Sequence, residues 1–298
     1  MAIITLTTDF GCGSPYVAEM KGVLLSLAPA VTIVDITHAV EPQNVLHGAL
    51  VLRQVTPRFP PGSIHLAVVD PQVGTDRAIL LVEADGRHYV APDNGLLSLL
   101  TWSRPRVWRL TRSETWLQPV SATFQGRDIM SPVAASLALG VPPDSLGEPT
   151  NQWQRLAWPE PTWDEQGRLC GEIVMADSFG NLVTNIHRHQ LARSRPAGDP
   201  SSGGKWEPLS SPAASPAGAA PVVGGRWQVE VATGTSRGAW QQPRWVATYG
   251  QANPGDLVAL IGSSGWLEIA CVQGDARHEL GLKRTDFPAT CVRVQPLA

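Results

Sequence analysis

Apolar residues along the first half of this chain alternate between two spacings. Short β-branched runs occur at Ile3 to Thr8, Val31 to Ile36 and Ile64 to Val69, and each predicts a strand. Between the first two, Ser14-Pro15 supplies an N-cap and a first-turn proline for a helix from about Tyr16 to Leu27, stopped near Pro29. A second helix is predicted from about Asn44 to Val55. Strand, helix, strand, helix, strand is the signature of parallel pairing through right-handed crossovers. After Arg77 the pattern becomes a hairpin, Ile79 to Ala84 and His88 to Ala91 joined by Asp85-Gly86. Pro92-Asp93-Asn94-Gly95 breaks the chain before the apolar segment Leu96 to Leu100. A strand near Val107 to Leu110 and a helix from Ile129 to Leu139 complete an α/β domain over residues 1–150, expected to hold a mainly parallel sheet.

From about residue 151 the spacing changes to many short strands separated by glycines: Gly171 to Ala176, Leu182 to Ile186, Trp227 to Val231, Leu257 to Ile261, Leu267 to Cys271 and Cys291 to Val294. This predicts a smaller all-β, barrel-like domain over residues 151–298. Within it a Pro, Ala, Ser and Gly-rich tract at about 196–225 lacks the apolar surface to order itself and is expected to be a mobile insertion.

Composition narrows the function classes. The 298 residues carry 43% hydrophobic and 16% charged side chains and a net charge of −3, and the 23 Lys and Arg are scattered. Nothing here favours a nucleic-acid partner. No apolar run approaches membrane-spanning length, and the N-terminus enters a strand without a basic leader, so the expectation is a cytoplasmic protein with no membrane partner. The four cysteines, Cys12, Cys170, Cys271 and Cys291, lie far apart without a CxxC pair, which predicts free thiols in a reducing compartment. His187 and His189 would share one face of a strand, but no third ligand lies near them, so no metal is expected. Thr8 to Gly13 precedes a helix yet lacks the spacing of a dinucleotide or ATP site.

Candidate chemistry gathers where strands are predicted to end. Asp70 follows the third strand directly, in Val68-Val69-Asp70-Pro71-Gln72-Val73-Gly74-Thr75-Asp76-Arg77, and the carboxyl ends of strands are where open α/β sheets place ligands. Arg77, seven residues on across a tight turn, can fold back as an ion-pair partner that keeps Asp70 ionised. Asp9 in Thr8-Asp9-Phe10-Gly11 lies at the end of the first strand. Pro92-Asp93-Asn94-Gly95, Asp177-Ser178-Phe179-Gly180-Asn181 and Gly262-Ser263-Ser264-Gly265 have the same character. Turn chemistry explains any one of these islands. Six in one chain, counting Thr123-Phe124-Gln125-Gly126-Arg127-Asp128, exceed what turns alone require.

The islands, in this order, resemble the S-adenosylmethionine hydroxide adenosyltransferase family, which is related to the fluorinase and chlorinase enzymes. The resemblance is carried by TTDFG with Tyr16 to Gly22, by Val34 to His38, by Val68 to Arg77, by Pro92 to Leu97, by Thr123 to Asp128, by Asp177 to Ile186 and by Ile261 to Ala270. It implies hydrolysis of S-adenosylmethionine (SAM) to adenosine and methionine without a cofactor. It also implies a homotrimer with active sites at subunit interfaces. By the same resemblance Asp9 would hold the ribose hydroxyls, Phe179 and Asn181 would contact adenine, and Asp177 with Ser263 and Ser264 would hold the methionine end. Asp70, Arg77 and the position of Gln125 would carry the chemistry.

Gln125 departs from the family's hydrolases, which have His there, and Gln72 stands where Gly is usual. An amide donates and accepts hydrogen bonds but does not titrate, so proton removal from water would fall to Asp70 or to solvent. The leading expectation is therefore a SAM hydrolase, slow if the missing imidazole matters. A catalytically weakened protein that binds SAM or adenosine is the alternative. A halide-using adenosyltransferase is less favoured, because those enzymes have Tyr in place of Asp70 and a carboxylate would repel an incoming anion.

Overall fold

The computed structural model describes residues 2–191, 227–232 and 239–297. The tract expected at about 196–225 to be a mobile insertion lies outside the described residues. The chain divides into a first compact unit running to Ala157 and a second beginning at Trp158.

In the first unit the elements are β1 (Ile3–Thr8), α1 (Pro15–Leu27), β2 (Thr32–Thr37), α2 (Val45–Val55), β3 (Ile64–Val68), β4 (Ile79–Ala84), β5 (Arg87–Pro92), β6 (Arg106–Leu110), α3 (Ser131–Ala138) and β7 (Gly147–Pro149). Ser14 caps α1 by accepting from the Tyr16 amide, with Pro15 in the first turn. The seven strands form one sheet in the order β2-β1-β3-β5-β4-β6-β7.

This sheet is mixed, which corrects the expectation of a mainly parallel one. The pairings β1 with β2, β1 with β3 and β3 with β5 are parallel. Those of β4 with β5, β4 with β6 and β6 with β7 are antiparallel. Asp85 and Gly86 are the cause: both take positive φ, 49° and 72°, the two-residue turn that folds β5 straight back on β4 with no room for a crossover helix.

Because β3 is covered on both sides, its residues from Leu66 to Val68 are all apolar. Leu66 and Val68 point into the core formed with α1 and α3, while Ala67 and Val69 point into the core that includes Leu52 of α2. β1 lies between β2 and β3: the crossover from β1 to β2 runs one way along the sheet and that from β2 to β3 returns past β1, so β1 and β3 meet at the topological switch point, where sheets of this kind place ligands beyond the strands' carboxyl ends. The helix expected from Ile129 begins differently, with one wide π-helical turn, Gly126–Met130, leading into α3. Such turns are uncommon and concentrate at functional sites.

At the far edge, a Cβ on Gly147 would lie 2.1 Å from the Arg109 carbonyl oxygen. Backbone cannot swing aside as a flexible side chain can. Gly147→Ala is expected to destabilise the protein by about 1–3 kcal/mol, read as a lowered urea midpoint with an unchanged m-value.

The second unit contains β8 (Thr162–Trp163), β9 (Leu169–Ala176), β10 (Leu182–His187), β11 (Trp227–Ala232), β12 (Trp240–Gln241), β13 (Arg244–Trp245), β14 (Leu257–Ile261), β15 (Trp266–Cys271) and β16 (Cys291–Pro296). Its sheet runs β12-β11-β16-β9-β10-β15-β14-β13, with β8 beside β9. The two end strands are separated in the chain only by Gln242 and Pro243. Such a short link requires the sheet to curl round until its edges nearly meet, so the unit is a half-barrel around Ile173, Leu182, Ile186, Val231, Leu267, Ile269 and Val292. No helix among the described residues is long and apolar enough to cross a membrane.

Candidate active site

The loop after β3 folds by its own hydrogen bonds. The Val73 amide donates to the Asp70 carbonyl, and the Thr75 amide and hydroxyl both donate to the Gln72 carbonyl. Gly74, at φ 84° and with a Cβ position only 3.0 Å from the Ala122 carbonyl, permits the tight return. Arg77 is thereby carried back to Asp70. Its Nε donates to Asp70 Oδ1 at 3.0 Å and one terminal nitrogen donates to Oδ2, a two-point ion pair whose side chains are 2% and 4% exposed. The same terminal nitrogen donates to Gln125 Oε1 at 2.5 Å. Gln72 contributes through its backbone, the amide donating to Asp70 Oδ1 at 3.3 Å.

The structure thus brings together Asp70, Arg77 and Gln125, which are far apart in sequence. Gln125 immediately precedes the π-helical turn, and its orientation is set by the bond it accepts. With Oε1 turned to Arg77, the amide nitrogen faces away and retains two donors. Beside Arg77 lies a cavity of about 400 Å³, bordered by Asp76, Asp93, Arg109 and Trp153.

Arg127 and Asp128, in the same segment as Gln125, form a separate clasp. Arg127 Nε donates to Asp128 Oδ1 at 2.6 Å, the Ser121 amide donates to Oδ2 at 2.8 Å, and the guanidinium also reaches Glu19 and lies over the Phe124 ring. The Arg127 hydrogen bond holds the Asp128 pKa below the ordinary value against the opposing effect of burial. A carboxylate with a folded-state pKa below its unfolded one stabilises the fold above the unfolded value, and that contribution is lost as pH falls through the folded one. Asp128→Asn is therefore expected to be less stable than the parent at pH 7. The gap between their urea midpoints should narrow below about pH 4.

Asp9 follows β1, whose Thr8 is in register with Val68 of β3. Its Oδ2 accepts from the Gln43 amide at 2.8 Å.

In the second unit, Asp177, Phe179 and Asn181 occupy the turn between β9 and β10. Asp177 Oδ1 accepts from the amides of Phe179 and Asn181, and Oδ2 accepts from Asn181 Nδ2 at 2.9 Å. Phe179 is 75% exposed, a free aromatic face. Ser263 and Ser264 lie in the connection from β14 to β15. Two residues that sequence reasoning left unassigned border these turns. The Tyr249 hydroxyl stands 3.5 Å from Asn181 Nδ2 and 3.4 Å from Glu268 Oε2, and Glu268 is packed against Gly262, where a Cβ would meet its carboxylate. Burial, with Asp177 nearby, raises the Glu268 pKa, and burial beside Glu268 pushes the Tyr249 phenol up to about 12. Glu268 lies inside the stretch Ile261 to Ala270, so its place in that motif was the only available signal.

His187 and His189 do not share a strand. β10 ends at His187, and His189 lies in the helical turn Arg188–Leu191 with its ring stacked on His187 at 4.8 Å. Among the described residues no group of three or more His, Cys, Asp or Glu side chains is placed to hold a metal.

Residues 4–147 match the SAM hydroxide adenosyltransferase N-terminal domain, and residues 214–287 match the corresponding C-terminal domain. A protein named (R)-S-adenosyl-L-methionine hydrolase from Thermus thermophilus is 36% identical over 297 residues, covering 95% of this chain and 97% of that protein. One of the same name from Salinispora tropica is 36% identical over 289 residues, covering 95% of each. The crystal structure of an uncharacterized conserved protein from Thermotoga maritima superposes with a TM-score of 0.76 at 29% identity, covering 98% of this chain and 99% of that one.

Proposed function

The chain belongs to the SAM hydroxide adenosyltransferase family, and from that premise we infer that it hydrolyses S-adenosylmethionine to adenosine and methionine. The observation that supports this most directly is the Asp70, Arg77 and Gln125 cluster beyond the end of β3.

In the reaction a water oxygen bonds to the ribose C5′ as the C5′–S bond breaks. The bonding pair stays on sulfur, so the sulfonium leaves as the neutral thioether of methionine. A neutral leaving group needs no acid and no metal, and we assign the enzyme no cofactor. What remains is to hold the water in line and accept its proton. Asp70 Oδ1 accepts from both Arg77 and the Gln72 amide, while Oδ2 keeps a lone pair beyond its bond to Arg77 and can accept one O–H of the water. The Gln125 amide nitrogen can donate to one of the water's lone pairs, leaving the other to attack. Arg77 holds both partners in place.

Asp9 is the residue we assign to the ribose hydroxyls. Phe179 and Asn181 are assigned to adenine, and Asp177 with Ser263 and Ser264 to the methionine end. A carboxylate suits a vicinal diol and an exposed aromatic face suits a purine. The homotrimer that the resemblance implies, with its sites at subunit interfaces, is our reading of the assembly, and light scattering of the purified protein tests it. Four unpaired thiols fit our placement of the protein in a reducing cytoplasm.

The test of the activity is incubation with SAM in ¹⁸O-labelled water. Adenosine and methionine should form in equal amounts, with the label in the adenosine 5′-hydroxyl. The names of the two relatives specify the (R) sulfonium epimer, and the same epimer should be consumed here. Tight binding without turnover would instead identify a SAM-binding protein.

A further inference from the structure

The segment after β2 is built around Asp9. Its Gln43 takes φ 65°, a left-handed conformation uncommon for a residue with a side chain, and the amide so turned donates to Asp9 Oδ2 at 2.8 Å. The segment is tied to the end of β1 at two further points: the Gly11 amide donates to the His38 carbonyl at 2.8 Å and the Val40 amide to the Thr8 carbonyl at 3.3 Å. Between these ties sits the His38 ring, 8% exposed. Its Nδ1 is 2.9 Å from Thr8 Oγ1, and its Nε2 makes a bent contact of 3.1 Å with Asp35 Oδ1. Asp35 in turn accepts from Lys21 Nζ at 2.6 Å.

One assignment of protons satisfies the row. The Phe10 amide donates to Thr8 Oγ1, the Thr8 hydroxyl donates to His38 Nδ1, and the ring turns its Nε2–H toward Asp35. The imidazole is then a brace between β1 and β2. It stands one residue from Asp9 on one side and at the root of the segment carrying Gln43 on the other.

We propose that His38 is a positioning residue for substrate binding: it braces residues 38–44 so that the Gln43 amide holds one Asp9 oxygen and the other is aimed at the ribose diol. The proposal rests on the assignment of Asp9 to the ribose. It places His38 outside the chemistry, so its removal should be felt in KM for SAM and not in kcat.

The experiment is a double-mutant cycle on steady-state hydrolysis of SAM, with folding followed by circular dichroism. Asp9→Asn should raise KM about tenfold or more, as expected for a lost hydrogen bond to a charged group. His38→Leu should raise KM about fivefold, with kcat within about twofold, and the double variant should be no worse than Asp9→Asn alone. His38→Asn, whose carboxamide oxygen can take the Thr8 hydroxyl in place of Nδ1, should restore KM to within about twofold of the parent. If His38→Leu does not fold, Thr8→Val removes only the hydroxyl and should show the same rise in KM. An unchanged KM, or effects of the two sites that multiply, overturns the role of His38 while leaving Asp9 in place. An Asp9→Asn variant with unchanged KM overturns the ribose assignment itself.

Discussion

Asp70→Asn should lower kcat for SAM hydrolysis by a factor on the order of 10² to 10⁴, the range a positioned general base contributes, with little change in KM. Asp70 is assigned to the water and not to the nucleoside, which is why the effect should fall on kcat. The same change alters stability. Arg77 is 2% exposed, and its guanidinium would lose the charge that offsets its burial. Removing one partner of a buried pair costs about 3–5 kcal/mol, and Asn keeps one acceptor for Arg77, so the loss should fall toward the lower end. Activity must therefore be measured below the unfolding temperature of the variant. Arg77→Lys separates the two effects further: it keeps the charge but loses the fork that holds Asp70 and Gln125 together, and kcat should fall while the protein stays folded. A kcat for Asp70→Asn within a few-fold of the parent would remove Asp70 from proton transfer.

The second large effect runs the other way. Gln125→His should raise kcat on the order of 10²-fold, the lower end of the general-base range, because Asp70 already supplies part of that function. An imidazole acts as a base only when neutral. The gain should be present above a pKa near ~6.5 and lost as pH falls below it, a limb absent from the parent's pH profile. Gln125 Oε1 now accepts from Arg77 at 2.5 Å, and a neutral imidazole has only one lone-pair nitrogen, so to act as the base it must turn that nitrogen to the water and give up the bond from Arg77. Substrate affinity should change little. An unchanged or lower rate would mean that the amide serves a different mechanism, in which donating to the water matters more than removing its proton.

How far the site was legible in the sequence differs from residue to residue. Asp70 and Arg77 were legible because both belong to one turn, and the Pro and Gly residues that force the return lie between them. Asp9, Asp177 and Asn181 could be placed at strand ends for the same local reason. Gln125 could be linked to the pair only through a family resemblance, since nothing within its own segment refers to Arg77. Glu268 was signalled only by its place in the Ile261 to Ala270 motif, and Tyr249 lay beyond reach. Tyr249 approaches Asn181 across 68 residues, and no local spacing encodes that approach.

Local physics determined what could be read from the chain alone: the strands from β-branched runs, the start of α1 from Ser14 and Pro15, the hairpin from Asp85-Gly86, and the return of Arg77 to Asp70. These depend on dihedral preferences and on contacts a few residues apart. The tertiary structure decided the rest. It chose a mixed sheet by laying β4 between β5 and β6, and it brought Gln125 to Arg77 across 48 residues. It also turned the Gln125 amide so that its oxygen meets Arg77 and its two donors point away from that residue. The physical reason is that an amide has no orientation of its own. Only a fixed partner supplies one, and Gln125 is carried to that partner by the packing of α3 and its π-helical turn against the sheet.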